Sequence, residues 1–146
     1  MSEQQRNLVS AAEQEQISRT LRAWIETFST DIGHVDFEFV GEMYGLSLCT
    51  IQSAYKTKQY IFGGYQAQYQ FRIVYRAIAQ NAAERLAMDE LLNDIGAWME
   101  TETPPVFGDN ILVRKIRRDS VSAIDARYEN GAEDHSILLT LIYEVS

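Results

Sequence analysis

Residues 60–98 read YIFGGYQAQYQFRIVYRAIAQNAAERLAMDELLNDIGAW. Two periodicities meet in this stretch. From Tyr65 the odd positions are Tyr65, Ala67, Tyr69, Phe71, Ile73 and Tyr75, and the even ones are Gln66, Gln68, Gln70, Arg72, Val74 and Arg76. With Val74 as the one exception, this alternation predicts a strand over about Tyr65–Ala77, apolar on one face and polar on the other. The period then changes. Asn81 is a good N-cap with Glu84 three residues on, and Met88, Leu91, Leu92, Ile95 and Trp98 or Met99 recur at helical spacing. A helix should run from Asn81 until Thr103-Pro104-Pro105 stops it. Gly63-Gly64 marks a bend or bulge before the strand.

Working outward, Ile17, Leu21, Trp24, Ile25 and Phe28 form one face of a helix within Ala11–Phe28. The first ten residues are polar and are expected to fray. A short strand is expected over Val35–Val40, a turn over Gly41–Gly45 and a strand from Leu46 to about Tyr55, with polar Lys56–Gln59 beyond it. After the second helix come strands at Ile111–Arg118, Val121–Tyr128 and Ile137–Val145, with Asn130-Gly131 as a turn. The order is α-β-β-β-α-β-β-β, with room for a fourth strand before the second helix. It predicts one α+β domain over residues 1–146, with a largely antiparallel sheet and both helices on one face.

A chain of 146 residues, 46% hydrophobic, can fill one core. No run approaches the ~18 apolar residues of a membrane span, and the polar start MSEQQRNLVS lacks the form of a signal peptide, so a soluble protein is expected. The single Cys49 rules out an internal disulfide. The net charge of −8 argues against general affinity for nucleic acid. It is compatible with walls that let DNA pass without holding it, though composition alone does not select that reading.

Chemistry-bearing constellations are sparse. His34 and His135 each sit beside acids, but no metal-ligand spacing surrounds them, and exposed loop positions are the simpler reading. Cys49 lies in a strand pattern and reads as a structural thiol unless a histidine approaches it in space. Gly63-Gly64 fits neither a P-loop nor a dinucleotide fingerprint. The acids Glu84, Asp89, Glu90 and Asp94 read as a solvated helix face. No catalytic, cofactor-binding or metal-ligating residue is assigned.

The candidate subunit-interface residues are Tyr55, Tyr60, Arg114, Lys115, Arg117 and Arg118. The four cations run against the overall sign. A subunit contact or a solvated sheet edge suits them better than DNA. Tyr55 and Tyr60 belong to a tyrosine-rich region in which Tyr69, Phe71 and Ile73 are expected to pack on the helices. Near the bend, an interface is as good a reading as a packed face. The long strand could also offer an edge to a neighbouring sheet.

The run GGYQAQYQFRIVYRA, followed by RLAMDELLNDIGAWME, resembles the minor capsid proteins of phages and prophages of Gram-positive bacteria. These are similar to the tail terminator, or tail completion, proteins of long-tailed phages. The resemblance covers roughly Phe37–Glu102, with a β-rich final third compatible with it. It implies a virion structural protein and no catalysis. Such subunits form a homo-oligomeric ring, typically a hexamer, that caps the tail tube and meets the head, with DNA only as passing cargo. Tail-tube and head–tail joining proteins are the implied partners, and the places are the virion and, during assembly, the host cytoplasm. A neck or head–tail connector is the neighbouring alternative. A small enzyme or ligand-binding domain using Cys49 or His34 is the alternative from another class.

Overall fold

The computed structural model describes residues 7–38 and 44–146. Two helices lie against a mostly antiparallel seven-stranded sheet. The elements are α1 (Ala11–Glu26), a 3-10 turn (Thr30–Ile32), β1 (Val35–Phe37), β2 (Gly45–Thr50), β3 (Tyr55–Gln59), β4 (Tyr65–Ile78), α2 (Ala82–Thr101), β5 (Ile111–Arg118), β6 (Ala123–Arg127) and β7 (Ala132–Val145).

The sheet is organised around β4 and β7. They pair antiparallel over their full length, from Tyr65 opposite Val145 to Ile78 opposite Ala132. The other side of β4 is shared between β3 at its start and β2 at its end. The other side of β7 is shared between β5 and β6. Strand β1 continues the sheet beyond β2 in parallel. β4 is therefore interior, paired on both sides, and offers no edge to a neighbour. The free edges belong to the short strands.

Alternation in β4 and β7 gives the sheet two unlike faces. Ala67, Tyr69, Phe71 and Ile73 of β4 and Ile137, Leu139, Leu141 and Tyr143 of β7 are buried together under the helices. The apolar stripe of α1 (Ile17, Leu21, Trp24, Ile25) and that of α2 (Leu92, Ile95, Met99) close over them. Trp98 bridges the helices, with ring centroids 5.1 Å from Trp24 and 5.4 Å from Phe28.

Both helix starts are capped by side chains. Glu13 N–H donates to Ser10 Oγ and Glu84 N–H to Asn81 Oδ1. Glu84 returns a carboxylate to the Gln80 N–H rather than to that of Asn81. Gly96 lets α2 settle close, since a Cβ there would lie 2.8 Å from Ile137 Cδ1 and Arg118 Cδ.

Four sequence expectations need correction. The strand from Leu46 ends at Thr50, and the polar Lys56–Gln59 segment belongs to β3. Lys56 and Lys58 each lie over a tyrosine ring and the register shifts between them, so no apolar period marks it. β7 begins at Ala132, five residues before its apolar stripe at Ile137. Residues 7–9 are pinned rather than frayed: the Lys56 N–H donates to Asn7 O and the Val9 N–H to Ala54 O. Finally, β6 is confined to Ala123–Arg127. Positions 39–40 of the expected first strand, and 41–43 of the expected turn, lie outside the described residues.

Candidate functional site: an open sheet face, a projecting hairpin and a buried charge cluster

The face of the sheet turned away from the helices sets internally paired polar side chains among Val74, Leu138 and Ile142. Gln52 Nε2 donates to Gln70 Oε1 at 2.6 Å, Tyr55 Oη to Gln68 Oε1 at 2.9 Å and Thr57 Oγ1 to Gln66 Oε1 at 3.2 Å. Arg72 meets Asp125 at 2.8 Å. Arg76 grips both oxygens of Asp134, and the Tyr128 hydroxyl donates to the same carboxylate at 2.7 Å. Burial alone would raise the pKa of Asp134, but these hydrogen bonds outweigh it and hold the carboxyl below its usual range.

The interface candidates fall into two groups. Tyr60 and Arg114 meet on one residue: the Tyr60 hydroxyl donates to Glu144 Oε1 at 2.8 Å and Arg114 donates to Oε2 at 2.9 Å. The hydrogen bond to Glu144 raises the Tyr60 phenol, and the one from Arg114 lowers the Glu144 carboxyl. This triplet ties the β3–β4 hairpin across β7 to β5. Tyr55 joins the same face through Gln68. The remaining cations lie on β5, at a sheet edge. Arg117 pairs with Asp119 at 2.8 Å, Arg118 pairs with Glu100 of α2 at 2.5 Å, and Lys115 is exposed.

The tip between β3 and β4 was not singled out in the sequence. Ile61 is 95% exposed and Phe62 wholly exposed. The turn beneath them is firmly built. Tyr60 N–H donates to Gly64 O, Gly63 N–H to Tyr60 O, and Gln59 Nε2 to Gly64 O. Gly63 and Gly64 take φ of 93° and 80°, the left-handed region that glycine adopts without strain. The IF dipeptide ahead of GG was the available signal.

On the helix-facing side, the apolar stripe of β7 changes chemistry. Where it would continue past Ile137 stand His135 and Glu133, both buried. His135 Nδ1 lies 2.8 Å from Asp89 Oδ1 on α2, and Nε2 lies 3.0 Å from Glu133 Oε1. Asp89 also accepts from Ser122 Oγ at 2.7 Å, and Glu133 from Arg85 Nε at 2.8 Å. Burial works against charge on the imidazole, but two carboxylates on its two nitrogens win, and the His135 pKa is raised. Hydrogen bonds from His135 and Arg85 lower that of Glu133.

This corrects two readings. His135 is a buried strand residue, not a loop residue, and Asp89 leaves the solvated face of α2 to meet it. The cluster clamps α2 to β7. Its imidazole faces a carboxylate at each nitrogen, so neither nitrogen is presented to a nucleophile.

Cys49 is buried on the open-face side, opposite Arg72 in the β2–β4 register, with its sulfur 3.7 Å from Ser47 Oγ. His135, opposite Tyr75, points to the helix side. The thiol and this imidazole are therefore on opposite faces of the sheet. The ring nitrogens of His34 face Glu26 at 3.4 Å and Asp36 at 3.2 Å. Among the described residues no group of three or more His, Cys, Asp or Glu is disposed to hold a metal, and no helix is long and apolar enough to cross a membrane. Comparison with protein-family models and with curated proteins gives no match.

Proposed function

We propose that this chain is a phage virion structural protein of the tail terminator kind. In this reading it associates with copies of itself in a ring, caps the tail tube and joins it to the head. It is not an enzyme, and DNA only passes it. The observation that carries the proposal is the division of labour between the two sheet faces. The helices seal one face with the whole apolar core. Among the described residues no helix covers the other face, and most of its long polar side chains are locked onto neighbours in the same chain. A surface whose hydrogen bonds are already satisfied is stiff and loses little side-chain freedom when another subunit lies on it. The resemblance of Phe37–Glu102 to minor capsid proteins supports the same reading.

The test is co-assembly. The purified chain is added to polymerising tail-tube protein from the same genome, and tube lengths are measured. Shortened tubes carrying the chain at their ends support a terminator. Binding instead to portal or connector rings moves the assignment to the neck. Binding to neither removes the proposal.

A further inference from the structure

We infer that the first half of α2 is a proton-operated flap: residues 82–91 lie on the sheet while His135 carries a proton on both ring nitrogens, and lift from it when one proton is lost. The helix is seated unevenly. Its second half is built into the core through Leu92, Ile95 and Met99, with Gly96 set close against Ile137 and Trp98 against Trp24 and Phe28. Residues 82–87 bury no apolar side chain, and Leu86 is 61% exposed. Met88 is buried but lies outside the cluster that takes in Leu92, Ile95 and Met99, and Leu91 is only partly buried against that cluster.

Polar contacts therefore hold this half. Asp89 reaches His135 and the Ser122 hydroxyl, and Arg85 reaches Glu133. Asn93, just past the boundary, accepts from the Ser122 N–H at 2.8 Å. The joint is the imidazole. Its side chain is 2% exposed, and both its nitrogens face carboxylates. An imidazole donates through both nitrogens only when both are protonated. A neutral ring sets a lone pair against one of the two carboxylates, and breaking a buried charge pair from one side leaves the other charge uncompensated.

The other groups around the ring make Asp89 the side that lets go. Glu133 keeps Arg85 at 2.8 Å and Arg127 of β6 at 3.9 Å, whereas Asp89 keeps the Ser122 hydroxyl. Tyr75 of β4 stands opposite His135 in the register, and Glu84 of α2 is turned back on the Gln80 N–H, so neither supplies a replacement cation. Arg85 is itself on the flap and 42% exposed, and an ion pair so open to water holds little by itself. The raised pKa of His135 agrees with this geometry. Lifting uncovers Met88 and the His135 end of β7, while Leu92, Ile95 and Met99 stay in place. The flap is independent of the virion reading.

Amide exchange of the full chain tests the flap, read residue by residue by NMR from about pH 6 upward and corrected for the pH dependence of free peptides. The amides of residues 86–91 should lose protection by about tenfold or more as His135 titrates, before those of residues 95–99 change. His135→Gln should leave the amides of residues 86–91 weakly protected already at about pH 6, with no further step on raising the pH. Asp89→Asn tests the proton itself in a milder variant. Its amide N–H can meet Nδ1, so a neutral ring is satisfied at both nitrogens and the step at residues 86–91 should vanish while their protection remains. Protection at residues 86–91 that falls only together with that at residues 95–99 overturns the inference. So does an Asp89→Asn variant that keeps the wild-type step.

Discussion

The hydroxyl of Tyr143 donates to Oε2 of Glu13 at 2.7 Å, joining the last strand of the chain to the first turn of its first helix. The Tyr65 hydroxyl donates to the other oxygen of the same carboxylate. One side chain thus fastens α1 to both central strands. Burial, then the bond to Glu13, raises both phenol pKa values, so both hydroxyls stay protonated donors. Replacing Glu13 with Ala strands two partly or wholly buried hydroxyls, at about 1–3 kcal/mol each. Urea unfolding of Glu13→Ala should show a loss of about 2–6 kcal/mol. A loss within error of zero would mean that α1 is held by its other contacts, among them the buried Ser18–Tyr69 hydrogen bond.

The cluster of His135, Asp89 and Glu133 makes stability depend on pH. The folded-state pKa of His135 is raised above the ~6.5 of a free imidazole. Its contribution is therefore complete below ~6.5 and is lost as the pH climbs through the raised value. Chemical denaturation at pH values rising above ~6.5 should show stability falling. His135→Gln should flatten that slope and cost about 3 kcal/mol at pH 6, because Asp89 and Glu133 lose the charge between them. A slope that survives the substitution would place the titration elsewhere.

Gly64 predicts a backbone effect. Its φ of 80° favours glycine, and a Cβ there would lie 2.5 Å from the carbonyl oxygen of Val145. A side chain in that conformation costs about 1–3 kcal/mol before the clash with rigid backbone is added. Gly64→Ala should lower the melting temperature and loosen the hairpin, seen as faster amide exchange at Tyr60 and Gly63. Unchanged exchange would show that the turn tolerates a Cβ.

At the β5 edge, Arg117 and Arg118 are poor probes of subunit contact because each is paired within the chain. Reversing either would disturb Asp119 or Glu100 first. Lys115 is the cleaner probe. If this edge takes part in association, Lys115→Glu should weaken it in sedimentation runs while leaving the melting temperature unchanged. Unaltered sedimentation would assign the cluster to edge protection.

Much of this architecture was legible from periodicity. β4 and both helices carry apolar repeats long enough to fix their type and their buried face. The start of β7 was not legible, because Glu133, Asp134 and His135 look like a loop until Arg76, Arg85 and Asp89 are brought to them from other elements. β3 was hidden for a related reason: Lys56 and Lys58 lie over tyrosine rings in place of an apolar core. Tyr60 was legible as unusual, but its bond to Glu144 links residues 84 positions apart. The exposure of Phe62 could be seen only once the turn around it was built.

The most direct measurement is electron microscopy of tail tubes assembled from the same genome's tube protein in the presence of the gold-labelled chain. Label at one end of most tubes, as a ring, is the predicted result. Label scattered along tube walls, or tubes whose ends stay bare, would contradict the account.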